Sequence, residues 1–353
     1  VKPDLWKDKR VLITGHTGFK GAWLTLMLHR FGAKVCGYAL PAPTHPSLFE
    51  AAGVASLAGV THRAGDVRDL GAVSTAVAAF APEVVFHLAA QSLVREGYRD
   101  PVGTLATNVM GTTNVLEACR GAGSVRGVVN VTTDKCYENR DLGRPFVETD
   151  PMGGFDPYSA SKGCSELVTA AYRRSFFAEG RIRLASARAG NVIGPGDFAA
   201  DRIIPDCIRA LSAGQPVRVR NPNATRPWQL VLEPLAGYLT LAEALLGPGG
   251  EAFADGFNFG PDLEDAQPVS VIATAITSRW GGGASWVPDP GPHPHEARLL
   301  TLDTSRARSA LGWQPKIRLT KALEWTVDGY RAIMAGQHVR EECFKQINRY
   351  LSL

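Results

Sequence analysis

Residues 10–31 constrain the fold more than any other stretch. An apolar segment, Arg10 to Thr14, runs straight into Gly15-His-Thr-Gly18-Phe-Lys-Gly21, and Ala22 to Phe31 then carries the spacing of an amphipathic helix. A strand that turns through glycines into a helix belongs to folds in which crossover helices link parallel strands. The alternation continues. Strands are predicted at Lys34 to Ala39, near Val60 to Ala64, at EVVFHLAA, at VRGVVNVTT and at IRLASARAG. Helices are predicted from about Leu70 to Phe80, around Gly103 to Ala122 and from Pro157 to about Glu179.

Six such strands predict an α/β fold with a doubly wound parallel sheet of the Rossmann type over residues 1–190, with ligands outside the carboxyl ends of the strands. Beyond Asn191 the pattern is less regular and dense in Gly and Pro, with strand-like pieces at PVRV and FNFG. Helices are expected at Arg202 to Ala213, Glu233 to Leu246, Val271 to Thr277 and Lys321 to Met334. Residues 191–353 are therefore expected to form mainly a smaller C-terminal α/β substrate lobe, with elements near 225–262 rejoining the first domain.

Composition narrows the class. A 45% hydrophobic content supplies a core, and a net charge of +4 over 353 residues is too small for a nucleic-acid protein. Arginine outnumbers lysine 28 to 10, which favours forked recognition of anions wherever those arginines line a site. The most apolar stretch, Val73 to Ala90, is broken by Pro82, Glu83 and His87, so no membrane span is expected. The opening VKPDLWKDKR is charged and does not read as a secretory signal. Six cysteines with no CxxC pair read as free thiols, and a cytoplasmic location is expected.

Three motifs carry chemistry. In the glycine turn, Gly15, Thr17, Gly18, Phe19 and Gly21 are placed to let the backbone approach a pyrophosphate at a helix amino terminus. The spacing is G-x-x-G-x-x-G. The acidic residue that commonly holds the adenosine ribose is missing after Tyr38-Ala39-Leu40-Pro41, and no arginine follows, so NAD and NADP both stay open; Asp66 and Val67 can meet the adenine edge. The second motif, Tyr158-Ser-Ala-Ser-Lys162, puts phenol and ammonium on one helical face, where the ammonium is expected to lower the phenol pKa. The third, Thr132-Thr133-Asp134-Lys135-Cys136-Tyr137, follows a strand whose carboxyl end faces the site.

Through GHTGFKG, HLAAQ, TNVMGT, the Thr/Tyr/Lys set and NVIGPGD, the chain resembles the extended short-chain dehydrogenase/reductase family. Within that family it is most similar to the nucleotide-sugar 4,6-dehydratases that act on CDP-glucose, through LWKDKRVLITGHTGFKG, Thr133 to Tyr137, Thr225-Arg226-Pro227-Trp228-Gln229, and Pro294-His295-Glu296 followed by Leu302-Asp303. The resemblance implies a lyase that uses tightly bound NAD to oxidise C4, eliminate water across C5 and C6, and return the hydride to C6. Tyr158 would take the C4 hydroxyl proton, Thr133 would bond the same hydroxyl, and Lys162 would hold the nicotinamide ribose. Asp134 would be the acid, and Lys135 either the base at C5 or an electrostatic stabiliser of the enolate. Relatives are expected to carry Asp-Glu or a single Glu where this chain has Asp134-Lys135.

The resemblance also implies cofactor contacts at Leu88, Ala89 and Ala90, and substrate contacts at Gln91, Asn191, Arg202, Arg226 and Arg298, with Tyr98 and Arg99 near the sugar. It implies a homo-oligomer, a dimer or a dimer of dimers, paired through the YxxxK helix and the helix at Gly103 to Ala122, and a place in deoxysugar and surface-polysaccharide synthesis. His293 and His295 lack a third spaced ligand, so no metal site is expected. A 4-epimerase on the same scaffold would keep Tyr158 and Lys162 but has no use for Asp134-Lys135. A non-catalytic dinucleotide sensor would need neither pair.

Overall fold

β1 (Arg10–Thr14), β2 (Lys34–Ala39), β3 (Val60–Ala64), β4 (Val84–His87), β5 (Gly127–Val131) and β6 (Arg183–Ala189) form one parallel sheet. A seventh strand, Gly256–Phe259, joins its outer edge beside β6, with Gly256 opposite Ser186. The resulting order, seventh strand-6-5-4-1-2-3, reverses direction between β1 and β4. The structure is a computed structural model and describes residues 1–140, 143–178, 180–291 and 299–353.

The central strands read as unbroken apolar runs because both sheet faces are covered. Val11, Val84, Phe86 and Val129 pack under the helices Phe19–Arg30 and Leu232–Leu246. Leu12, Val85 and Val128 pack under Leu70–Phe80, Gly111–Gly121 and Pro157–Ser175 on the other face.

The helix expected around Gly103 to Ala122 is in fact Pro101–Leu105 and Gly111–Gly121, joined by a π turn over Ala106–Met110. Asn108 sits in that turn and bonds the Gln91 backbone and the Ser161 hydroxyl, so the wider turn aims one amide at two loops. Asp156 caps the YxxxK helix by accepting from the Ser159 N–H at 3.0 Å, with Pro157 in the first turn. That helix ends at Ser175, short of the expected end, as Phe177 turns into the core; Glu179 lies outside the described residues.

Around Ile203–Ser212, Val269–Trp280 and Leu319–Met334, three short strand pairs build a second cluster of elements: Val192–Ile193 with Gln229–Leu230, Thr225–Pro227 with Ala266–Pro268, and Val217–Val219 with Trp286–Pro288. The helix expected at Val271 to Thr277 is longer at both ends, and a final helix, Val339–Leu351, was not expected. Among the described residues no helix is long and apolar enough to cross a membrane.

Candidate active site

Two cavities open side by side at the carboxyl ends of the strands, where a doubly wound sheet binds its ligands. The larger, of about 660 Å³, lies over the point between β1 and β4 where the strand order reverses. Gly15, Thr17, Gly18, Phe19 and Gly21 form one wall, Leu88, Ala89 and Ala90 another, and Asp66 and Val67 the far end. Gly15 has φ +77°, and a Cβ there would lie 2.6 Å from the Ala89 nitrogen, so only glycine lets the β1 turn approach the β4 loop this closely. Thr17 Oγ1 donates to the Leu40 carbonyl at 3.0 Å and fixes the turn against the end of β2. Asp66 accepts from the guanidinium of Arg68, which depresses its pKa. A dinucleotide fits this wall: glycine backbone at a helix start for the pyrophosphate, an open end by Asp66, and Tyr158 and Lys162 at the other.

The smaller cavity, of about 280 Å³, is lined by Thr133, Asp134, Lys135, Tyr158, Asn191 and Arg226 among others. Tyr158, Lys20, Thr132 and Arg202 line both cavities and mark where they meet. Thr133 hydrogen-bonds the Tyr158 phenol, and Thr133 Oγ1 also donates to Asp134 Oδ1 at 2.9 Å. Lys135 Nζ stands 3.9 Å from the same oxygen. The other Asp134 oxygen, Oδ2, is buried with no partner. Lys162 is buried and donates to the Val131 carbonyl at 3.3 Å.

Burial sets the proton affinities here. It pushes the Tyr158 phenol up to about 12, while the Thr133 hydrogen bond and the Arg202 charge pull the other way. This corrects the expectation that Lys162 lowers the phenol below its ordinary value: desolvation sets the direction. Burial also brings the Lys162 ammonium down to about 8.

Arg202 ion-pairs with Asp197 at 2.9 Å and donates to Ser92 Oγ at 3.0 Å, and Arg226 is buried in the wall of the smaller cavity. Gln91 faces the larger cavity instead. Its amide is committed to the Leu93 carbonyl and the Thr104 hydroxyl, because it ties the β4 loop to the helix Pro101–Leu105. Tyr98 and Arg99 line neither cavity; Arg99 pairs with Glu96 on an exposed helix face. Arg298, His293 and His295 lie outside the described residues. Among the described residues no group of His, Cys, Asp and Glu is arranged to hold a metal.

Lys20 was missed. A lysine in a glycine turn reads as a solvated charge, yet its side chain lies between the cavities, where burial and the Lys162 and Arg202 charges bring its pKa down to about 7. Its presence in GHTGFKG was the available signal.

The model of the NAD dependent epimerase/dehydratase family matches residues 11–253. The chain belongs to that family. It is 48% identical to a CDP-glucose 4,6-dehydratase of Salmonella typhimurium, over 100% of this chain and 99% of the relative. It is 31% identical to a UDP-glucose 4-epimerase of Mycolicibacterium smegmatis, over 72% of this chain and 78% of that one. Among solved structures, UDP-glucose 4-epimerase of Thermus thermophilus, in complex with NAD, superposes with a TM-score of 0.78 at 26% identity, covering 91% of this chain and 99% of that one. The family is NAD-dependent, which resolves the choice of cofactor that the end of β2 left open.

Proposed function

We propose that the chain is a lyase that converts CDP-glucose to CDP-4-keto-6-deoxyglucose and water. One observation carries the reading: Asp134 and Lys135 stand in the cavity wall beside Thr133 and Tyr158, so an acid/base pair adjoins an oxidising pair. Bound NAD supplies the hydride acceptor at C4, returns the hydride at C6, and brings a ring charge that favours a phenolate. Tyr158 takes the C4 hydroxyl proton, with Thr133 bonded to the phenol as its second contact. Lys162 holds the nicotinamide ribose. The C4 ketone acidifies the C5 proton, which Lys135 removes, while Asp134 gives a proton to the departing C6 hydroxyl and water leaves. Asn191, Arg202 and Arg226 hold the diphosphate through forked or amide donors.

A 4-epimerase would keep Tyr158 and Lys162 and leave the acid/base pair idle. The unpartnered Asp134 Oδ2 favours elimination, since a buried carboxyl oxygen with no hydrogen-bond partner is costly until a substrate hydroxyl reaches it. We further propose a homodimer in the cytoplasm. Val102 is 76% exposed and Leu167 60%, with Leu105 and Met110 also uncovered, on the YxxxK helix and the helical segment before it. All six cysteines are free thiols.

The test offers CDP-, UDP-, dTDP- and GDP-glucose in parallel and follows base-induced 4-ketosugar absorbance. CDP-glucose should turn over without net NADH. Turnover of another sugar alone sinks the substrate assignment, and a C4-epimer product sinks the lyase.

A further inference from the structure

One helical turn beyond Lys162, Glu166 is buried and uses both carboxylate oxygens. Oε1 accepts from the Thr132 hydroxyl, the residue next to Thr133. Oε2 accepts from Ser186 Oγ at 2.6 Å and from Arg188 Nη2 at 2.9 Å, both on β6. Arg188 is buried as well, and its other nitrogen donates to the Tyr137 hydroxyl at 2.7 Å and to the Glu148 carbonyl at 3.0 Å. Tyr137 closes the 133–137 segment and donates to Asn258 on the seventh strand at 2.7 Å. One carboxylate therefore joins the YxxxK helix, the end of β5 and β6, and its guanidinium partner holds the far end of the same loop.

We infer that Glu166 is a positioning residue for the oxidation step: it ties the loop bearing Thr133 and Asp134 to the helix bearing Tyr158 and Lys162, and it supplies the negative charge that faces the Lys162 ammonium. The inference rests on the assignment of Tyr158 and Lys162 as the oxidising pair.

The charges around Lys162 decide why this matters. On its own helix it faces Glu166 and Tyr158. From the glycine-turn helix Lys20 approaches it, from β4 the neutral His87, and from the loop after β5 the Cys136 thiol. Arg188 lies behind Glu166. Of these, only Glu166 is an anion under working conditions, because burial holds the Cys136 thiol protonated. Remove the carboxylate charge and Lys162 is left beside Lys20, with an uncompensated Arg188 behind it. Lys162 then loses its proton at lower pH, and with it the charge that opposes the phenol proton.

The experiment compares pH profiles of kcat/KM for CDP-glucose in wild type, Glu166→Gln, Glu166→Asp, Thr132→Val and Lys162→Met holoenzymes, with NADH formation in a single turnover as a second readout. Glu166→Gln should move the alkaline limb to lower pH by about one unit or more. Glu166→Asp, which restores the charge on a shorter arm, should bring the limb back while leaving kcat reduced. Thr132→Val removes one hydroxyl and no charge, so it should slow NADH formation with the limb unmoved, and it keeps the loop half of the inference open to refutation if Glu166→Gln does not fold. An unmoved limb in folded Glu166→Gln, or wild-type NADH formation in Thr132→Val, overturns the inference. Lys162→Met separates the two levels. Survival of the limb there removes the assignment of Lys162; its disappearance there, with no shift in Glu166→Gln, removes only the role of Glu166.

Discussion

Glu233 offers a worked test of how this fold holds a buried charge. It opens the helix Leu232–Leu246, directly after the Gln229–Leu230 strand that pairs with Val192–Ile193 beside the smaller cavity. Its side chain is fully buried, with Oε1 accepting from the Lys316 and Ile317 amides at 2.9 and 2.7 Å and Oε2 from the Tyr350 hydroxyl at 2.8 Å. These donors only partly offset desolvation, and the carboxyl pKa rises from 4.5 to about 7. Between those values the folded chain keeps a proton that the unfolded chain has released. Stability therefore falls as pH rises from about 4.5 through about 7 and is level beyond. A rise of roughly 2.5 units at 1.36 kcal/mol each makes the loss about 3 kcal/mol. Glu233→Gln keeps the oxygen for both amides, offers an N–H to the Tyr350 oxygen, and carries no charge. The variant should match wild type near pH 5 and exceed it near pH 8.5 by about 3 kcal/mol, or about 4 °C in Tm for a chain of this length. Thermal melts of both proteins across that range are the assay. A constant difference in Tm between them at all pH values would refute the reasoning, since the carboxyl would then not be changing charge on folding.

Two other outcomes test the site and the assembly. Tyr158→Phe should lower kcat by about 10³-fold with no transient NADH, whereas Lys135→Met should form NADH in a single turnover and then stall before water leaves. Stopped-flow nicotinamide absorbance separates them, and C5 deuterium exchange at the wild-type rate in Lys135→Met removes Lys135 as the base. Leu167→Glu, which puts a charge in the exposed apolar face of the YxxxK helix, should give a monomer by light scattering; an unchanged mass places the subunit contact elsewhere.

β1, β2, β4, β5 and β6 were legible because sheet burial on both faces writes them as apolar runs, the exposed edge strand β3 only from its place in the alternation, and the glycine turn because Gly15 needs a positive φ at a close backbone approach. The π turn was not, since apolar spacing barely registers one extra residue per turn, and its purpose lies in the Asn108 contacts to Gln91 and Ser161. The roles of Lys20 and Glu166 depend on partners far along the chain. Lys20 meets Arg202, and Glu166 meets Ser186 and Arg188, pairings that no local pattern encodes. The phenol pKa went astray for the same reason: the four-residue spacing places Lys162 beside Tyr158 but says nothing about how much water both lose.

That desolvation has a consequence for how oxidation begins. In water a phenol and an ammonium hold their protons almost equally, at about 10 and 10.4. Here burial moves them apart, to about 12 for Tyr158 and about 8 for Lys162, with Lys20 at about 7 beside them. Ionising the phenol at pH 7 before anything binds would cost about 7 kcal/mol, five units at 1.36 kcal/mol each. Tyr158 therefore does not wait as a phenolate in the free enzyme. For Tyr158 to act as the base its own proton must first leave, and a positive nicotinamide ring bound beside it would favour that loss. The lysines change in the opposite sense. Lys20 and Arg202 line the same cavity, so a diphosphate bound there as proposed would favour the protonated form of Lys20 and, through its charge, of Lys162. Occupation of both cavities would thus favour charged lysines and an ionised phenol together, which would couple the start of hydride removal to the presence of both ligands.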